Sequence, residues 1–233
     1  MKDKMKTSRS DGRKPDEVRP IEIKTGVIKR ADGSAVFKIG KTIAYAAVYG
    51  PRELHPKFLQ NPEKGVLRCN YNMMSFSGSG DRVRPGPSRR SREIGLVIQK
   101  ALMPVLNLEQ YPNSVIDIFV ELLQTDSGTR CAGICAAAVA LADAGIPMKD
   151  LIAAVSVGRV NGRIVVDLTK EEEDEEDAVD IPVAILPRKG EVTLLQLDGL
   201  LKKEELQEAL KLGIIGCRKI YEMQKKVLKE RYK

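Results

Sequence analysis

The sequence has a single histidine and only four cysteines among its 233 residues. One histidine, His55, disfavours a mechanism in which a Ser–His or Cys–His pair supplies the nucleophile. Four irregularly spaced cysteines in a chain of this length disfavour a disulfide framework. Cys131 and Cys135 would share a helix face, but zinc needs further ligands at similarly tight spacing, which the sequence lacks. We therefore expect small buried thiols, with chemistry based on carboxylates, arginines, lysines and a metal ion.

Long apolar runs are missing as well. No stretch reaches the roughly 20 apolar residues of a membrane span. The N-terminal letters MKDKMKTSRSDGRK lack the apolar core of a signal peptide. Hydrophobic residues make up 42% and charged residues 30% of the sequence, which excludes a disordered or low-complexity chain. The sequence thus predicts a soluble, cytoplasmic protein without a membrane partner.

The net charge of +7 hides an uneven distribution. Residues 171–180, EEEDEEDAVD, hold eight acids and no base, so the other 223 residues carry 39 bases against 24 acids. Residues 81–92, DRVRPGPSRRSR, hold five arginines and one acid. An acidic cluster in a basic chain suits a protein that binds a polyanion and holds a cation beside it. Charge runs also occur on solvated loops and helix ends, and charge alone leaves both interpretations open.

The hydrophobic pattern predicts one α+β domain over residues 19–233, after a polar, mobile segment over residues 1–18. From Arg19 to Tyr49, apolar and polar residues alternate as in strands, with interruptions at Gly26 and at Asp32-Gly33. An Asp-Gly pair between such segments is a strong hairpin signal. A second hairpin, with a type I′ turn, is expected at Asn161-Gly162. Further strands are expected over 66–74, 115–124, 178–186 and 192–197, and helices over 88–106, over 130–144 and from 202 onward.

Three arginines, Arg89, Arg90 and Arg92, fall in the first turn of the helix expected from Ser88. A helix N-terminus carries partial positive charge, so arginines there oppose the local field unless an anion lies beside them. Planar guanidinium groups are well suited to phosphate. The segment therefore indicates a phosphate clamp, and arginines fanned into solvent are the alternative.

The turn Asp126-Ser127-Gly128-Thr129-Arg130 joins an expected strand to an expected helix. Gly128 permits a tight backbone, so the N–H groups of the first helical turn, the Thr129 hydroxyl and Arg130 can converge on one anion. Such turns also simply cap helices, and the motif gains weight from the arginine cluster.

Two aspartates, Asp174 and Asp180, stand out in the acidic run, because Asp180 begins an expected strand. Two carboxylates that approach each other are a common way to hold Mg²⁺ or Mn²⁺. One of them could instead act as a general acid.

These segments together resemble the RNase PH family. The similarity runs from about Asp11 to Asp198. Its motifs follow the family's order: DGRKPDEVRPIEIKTGVIKRADGSAVFKIGKTIAYAAVYGP, RRSREI, LLQTDSGTRCAG, ALADAGIP and EEEDEEDAVDIPV. The details YGPRELHP, RPGPSRRS and VTLLQLDG are most similar to the catalytic RNase PH-like subunits of archaeal exosomes.

The resemblance implies a fold and an activity. The fold is α+β, with two pseudo-repeated βαβα halves of the ribosomal protein S5 domain 2 type. The activity is phosphate-dependent 3′→5′ exoribonuclease action that releases nucleoside diphosphates and is reversible to 3′ tailing, with inorganic phosphate as the co-substrate.

The resemblance also assigns residues. The phosphate loop would be Gly128, Thr129, Arg130 and Cys131, the last through its backbone N–H, and the catalytic residues Asp180, Asp174 and Arg130. Asp180 would be the acid or the metal-orienting aspartate and Asp174 the second carboxylate, the two holding Mg²⁺ or Mn²⁺. The RNA 3′ end would be gripped by Arg89 and Arg90, and the expected RNA-binding set adds Arg92, Tyr71, Lys57 and Arg52.

The implied partners are single-stranded RNA 3′ ends, a related inactive RNase PH-like subunit in a hexameric ring (a trimer of heterodimers), and S1/KH-type RNA-binding cap subunits. Two alternatives within the family stay open: a stand-alone RNase PH that trims tRNA 3′ ends, and a non-catalytic RNA-binding ring subunit. A generic basic RNA-binding module is a third alternative.

Overall fold

A five-stranded sheet forms the first half of the chain in the computed structural model, which describes residues 9–233. Its strands adjoin in the order β1-β2-β3-β5-β4, all antiparallel except for the parallel pair β4–β5. Two helices accompany this sheet. The elements are β1 (Ile21–Thr25), β2 (Gly33–Ile39), β3 (Thr42–Glu53), β4 (Val66–Met73), α1 (Arg89–Leu102), β5 (Ser114–Gln124) and α2 (Thr129–Asp143).

A four-stranded antiparallel sheet forms the second half, in the order β7-β6-β8-β9. Its elements are β6 (Ala153–Val160), β7 (Arg163–Val166), the one-turn helix α3 (Lys170–Glu173), β8 (Val179–Leu186), β9 (Glu191–Leu195) and the long helix α4 (Lys203–Arg231). Each half therefore runs from strands through a helix and further strand structure into a second helix. The predicted α+β class with two similar halves is confirmed.

Helix α2 lies at the centre of the molecule and packs against strands of both sheets. Its run of alanines is buried on every side, as expected of a helix that is apolar all round. Small residues allow the sheet to come close. A Cβ atom added at Gly33 would lie 2.2 Å from the backbone nitrogen of Ala144, just beyond the helix, so only glycine fits there.

A hairpin forms next to Asp32-Gly33, as expected, because β1 and β2 pair antiparallel and residues 26–32 connect them. Gly33 itself, however, is the first residue of β2 and serves helix packing rather than the turn. A second, tight turn lies at Gly40-Lys41 between β2 and β3, where Gly40 has φ +55°. The type I′ turn expected at Asn161-Gly162 is confirmed, since both residues have positive φ.

Residues 9–18 run along the second half of the chain. The backbone nitrogen of Val166 donates to the carbonyl of Pro15 at 2.8 Å, and Lys219 Nζ donates to the carbonyl of Asp16 at 2.9 Å. Arg9 forms a bidentate pair with Glu172, at 2.8 and 2.7 Å. Residues 9–18 thus make contacts with the rest of the chain, whereas the sequence analysis expects a mobile segment over residues 1–18. The part of that expectation that concerns residues 1–8 lies outside the described residues.

None of the helices between residues 9 and 233 combines the length and the apolar composition needed to cross a membrane.

Candidate active site

A cleft of about 360 Å³ opens where the N-terminus of α2, the start of β8 and the loop after β4 meet. Positions from distant parts of the sequence line it. Six of the residues singled out from the sequence lie there together: Arg90, Gly128, Thr129, Arg130, Cys131 and Asp180. Both halves supply parts of it, because Arg90 and Arg130 belong to the first half and Asp180 to the second.

The turn before α2 leaves its helix N-terminus free for a ligand. Ser127 and Gly128 have φ +58° and +64°, and Gly128 occupies the N-cap position without a capping side chain. The first N–H groups of a helix need partners from outside the helix, and anions are the natural ones. Cys131 lies in the same turn, where burial raises the pKa of its thiol well above the ordinary value. The geometry favours an anion-binding loop over a simple side-chain cap.

The arginines of α1 lie beside this loop. Ser88 and Ser91 cap α1 reciprocally, at 3.0 and 2.7 Å, so the helix end is satisfied without help from the arginines. Arg89, Arg90 and Arg92 are exposed, and within residues 9–233 none of the three pairs with a carboxylate. The cluster is therefore free to bind an anion from solution.

Arg130 projects from the first turn of α2 into the cleft. Its Nη2 lies 3.5 Å from Glu93, a contact at the limit of a hydrogen bond. Its Nε is buried and lacks a hydrogen-bond partner among residues 9–233. A buried donor without a partner costs stability, so it is expected where a ligand supplies the acceptor.

Asp180 lies opposite these cations on β8. Burial raises the pKa of its carboxyl group, and the nearby charges of Glu173 and Asp198 raise it further. A hydrogen bond from the Ser156 hydroxyl and the charge of Arg130 act in the opposite direction without reversing the shift. A carboxyl group with a raised pKa can carry a proton nearer neutral pH, which suits a general acid.

The second carboxylate at the cleft is Glu173. Asp174, expected in that role, is 61% exposed and pairs with Lys170 Nζ at 2.5 Å, four residues earlier. Both Glu173 and Lys170 line the cleft, whereas Asp174 does not. The structure thus does not bring Asp174 into the cleft with Asp180. The one-turn helix α3 directs the preceding residue, Glu173, into the cleft instead.

Tyr71 is only 4% exposed, and it belongs to the hydrophobic core beneath the phosphate loop. Burial raises the pKa of its phenol, while Thr129, Arg90 and Arg130 act to lower it, so these groups are its neighbours. Its hydroxyl makes no geometric hydrogen bond among residues 9–233. Tyr71 therefore lies beneath the loop rather than at the surface, and its contact with RNA stays a prediction.

Four of the expected RNA-binding residues lie outside the cleft. Arg89 and Arg92 flank it on α1. Arg52, at the end of β3, is 5.0 Å from the centre of the Tyr49 ring. Lys57 lies in an exposed 3₁₀ turn, Lys57–Leu59. Their contacts with RNA stay predictions.

Together these features suit a class of enzyme that acts on anionic groups, because an uncapped helix N-terminus and two arginines share one cleft with a carboxyl group whose pKa is raised. The family model described as "3' exoribonuclease family, domain 1" matches residues 17–147, and domain 2 of that family matches residues 150–216. The chain therefore belongs to the RNase PH family of 3′ exoribonucleases, as its sequence resemblance predicted. Its hydrophobic core extends through both matched parts.

Curated relatives agree with this assignment. The protein named "Exosome complex component Rrp41" of Pyrococcus furiosus is 56% identical over 224 residues, which cover 96% of this chain and 89% of that protein. The protein of the same name from Methanopyrus kandleri is 53% identical, with 96% and 93% covered. The crystal structure of rice Rrp46 has a TM-score of 0.83 at 25% identity, covering 94% of this chain and all of that one. The chain is a 3′→5′ exoribonuclease.

The electrostatics of the cleft give a first prediction. Replacing Glu173 with glutamine removes a negative charge near Asp180, so the pKa of the Asp180 carboxyl should fall. Carbon-detected NMR titration of the metal-free protein would measure it. Glu176→Gln, an exposed position in the same acidic run, is the control and should leave that pKa unchanged. Equal shifts in both variants would mean that Asp180 responds to bulk charge alone.

Proposed function

We propose that this chain is the catalytic subunit of an exosome of the archaeal type and that it degrades RNA from the 3′ end by phosphorolysis. The observation that carries this proposal is the composition of one cleft. An uncapped helix N-terminus, Arg90 and Arg130 lie in it together with Asp180, whose pKa is raised. A cation-rich subsite beside a proton donor suits an anionic nucleophile better than water.

Electrostatics explains why the reaction needs this arrangement. Inorganic phosphate and the RNA phosphodiester are both negatively charged. At about 4 Å and an effective dielectric constant of about 20, each pair of like charges costs about 4 kcal/mol. Arg90, Arg130 and the α2 N-terminus offset that repulsion, and the remaining task is to align the two groups.

The proposed step transfers one nucleotidyl group. A phosphate oxygen, held by the Gly128–Arg130 loop, attacks the phosphorus of the last phosphodiester. The bond from that phosphorus to the O3′ of the preceding nucleotide breaks, and a nucleoside diphosphate is released. The departing O3′ takes a proton, which Asp180 can donate because its raised pKa keeps it protonated in more molecules than an ordinary aspartate.

We also propose that Mg²⁺ or Mn²⁺ binds beside Asp180. No group of three or more His, Cys, Asp and Glu side chains between residues 9 and 233 could hold a metal ion. Mg²⁺ in such enzymes, however, uses one or two carboxylates together with water and substrate phosphates. Asp180 and Glu173 fit that donor set better than Asp180 and Asp174, because both line the cleft. A metal-bound Asp180 would be ionised, so for this residue metal binding is the alternative to donating the proton. A bound cation would offset the negative charge of the substrate phosphates.

The expected assembly belongs to this proposal. Relatives are named exosome components, which supports a ring built with RNase PH-like partners. We propose a hexameric ring made with a related inactive subunit and covered by S1/KH-type subunits, located in the cytoplasm. A stand-alone RNase PH would assemble from this chain alone. The mass of the chain in solution, with and without the related subunit, separates the two cases.

Phosphate dependence tests the proposed reaction. The chain, assembled with its RNase PH-like partner, should release nucleoside diphosphates from single-stranded RNA only when inorganic phosphate is present. Thin-layer or liquid chromatography of the products measures this. Nucleoside monophosphates formed in phosphate-free buffer would identify water as the nucleophile and overturn the phosphate-loop assignment.

Arg130→Ala tests the assignment of the attacking anion. Loss of this guanidinium should raise the KM for phosphate far more than it weakens RNA binding, since Arg89 and Arg90 remain. Initial rates over a phosphate series and RNA binding without phosphate give the two quantities. If both were lost equally, Arg130 would belong to the RNA site.

Asp180→Asn tests the proton donor. The change keeps the size of the side chain but removes its ability to donate a proton, so the rate should fall by about 10²–10⁴-fold while RNA affinity holds. Glu176→Gln should leave the rate nearly unaltered. A thermal melt of both variants excludes misfolding as the cause, and a similar rate for the two would refute the assignment.

A further inference from the structure

A buried arginine outside the cleft connects the two halves of the chain. Arg19 precedes β1 and is 5% exposed. Its Nε and Nη2 donate to the two carboxylate oxygens of Asp167 at 2.9 and 2.7 Å, and its backbone nitrogen donates to Asp167 at 2.7 Å. Asp167 follows β7 and has φ +59°, so this contact fixes an unusual turn in the second half.

The same guanidinium reaches the phosphate loop in the first half. Arg19 Nη1 donates to the carbonyl oxygen of Asp126 and lies 3.3 Å from its carboxylate. The other carboxylate oxygen of Asp126 accepts from the backbone nitrogen of Lys170, the first residue of α3, at 3.1 Å. The Asp126 backbone nitrogen donates to Thr42 Oγ1 at 2.9 Å. One chain of hydrogen bonds thus runs from Asp167 through Arg19 and Asp126 to α3.

A glycine leaves room for this side chain, because a Cβ atom at Gly40 would lie 2.5 Å from Arg19 Cδ. The guanidinium also lies next to Gly128, the N-cap residue of α2, where a Cβ atom would be 3.6 Å from Nη2. Arg19 is not among the residues that line the cleft, so it contacts the turn without entering the cleft.

We propose that Arg19 is a positioning residue that sets the phosphate loop against the segment carrying Lys170 and Glu173. The proposal rests on the phosphorolytic function above. The loop and α3 both line the cleft and belong to different family domains, so their relative placement depends on contacts between the halves. Arg19 supplies such a contact at Asp126, which begins the turn that leads into the loop.

Loss of the guanidinium has a specific electrostatic consequence. The Asp167 and Asp126 side chains are 3% and 16% exposed. Without Arg19, Asp126 would lose its guanidinium partner, and Asp167 would keep only the longer ion pair with Arg13 at 3.3 Å. Burying unpaired charge is costly, so the loop would shift, and the extra negative charge would repel phosphate. Arg89 and Arg90 would be untouched, so RNA affinity should persist.

The test measures binding of inorganic phosphate to the assembled full chain without RNA, by calorimetry, together with steady-state KM values. We expect Arg19→Gln to weaken phosphate binding by about tenfold or more, because a charged hydrogen-bond network is lost. Arg19→Lys keeps the positive charge but lacks the planar guanidinium group that reaches both aspartates. It should therefore lose most of the phosphate affinity that Arg19→Gln loses. RNA affinity should change little in either variant.

The matched control is Arg68→Gln, which breaks another bidentate pair, with Asp117 at 2.7 and 2.9 Å, near the start of β5 and so at the end of that strand away from the loop. It should lower the melting temperature without changing phosphate affinity. Equal phosphate affinities in the wild type, Arg19→Gln and Arg19→Lys, or equal losses in the Arg68 and Arg19 variants, would overturn the role of Arg19. Absence of phosphate binding in the wild type would instead refute the proposed function, so the two failures are distinguishable.

Discussion

Helix α2 lies between the two sheets, and its burial fixes the position of the phosphate loop. The helix packs against both halves through alanine and other small side chains, so it has little freedom to tilt or slide. Its N-terminus points into the cleft, where Gly128 leaves it uncapped. A rigid helix end offers oriented N–H groups without a cost of rearrangement on binding, which is the property that an anion-binding subsite in an enzyme requires.

The cleft lies where the halves meet, and both carboxylates in its lining come from one half. Arg90 and Arg130 come from the first half, while Glu173 and Asp180 come from the second, together with Lys170. Because opposite charges face each other across a seam, the relative placement of the halves determines how strongly they interact. Contacts away from the cleft, such as those of Arg19, therefore bear on the chemistry inside it.

Local patterns in the sequence were sufficient to predict the turn before α2 but not the directions of the side chains in the acidic run. The turn could be predicted because its residues are adjacent and Gly128 permits the tight backbone that the structure shows. In the acidic run, neighbouring carboxylates look alike as letters, yet Glu172 is buried against Arg9, Glu173 faces the cleft and Asp174 pairs with Lys170. The three side chains point in different directions because the chain makes a single helical turn here, α3. A helix of four residues has too little periodicity to be recognised in a sequence.

The free cleft holds two unfavourable features that substrate binding relieves. The buried Nε of Arg130 lacks a partner among residues 9–233, and the Asp180 carboxyl is held where ionisation is disfavoured. A bound phosphate would supply an acceptor for the first. In the proposed reaction, a protonated Asp180 would not repel that phosphate and would give its proton to the departing O3′. The two features that lower the stability of the free cleft are therefore the same ones that the proposed reaction uses. Such a relation is common where pKa values are shifted at functional sites.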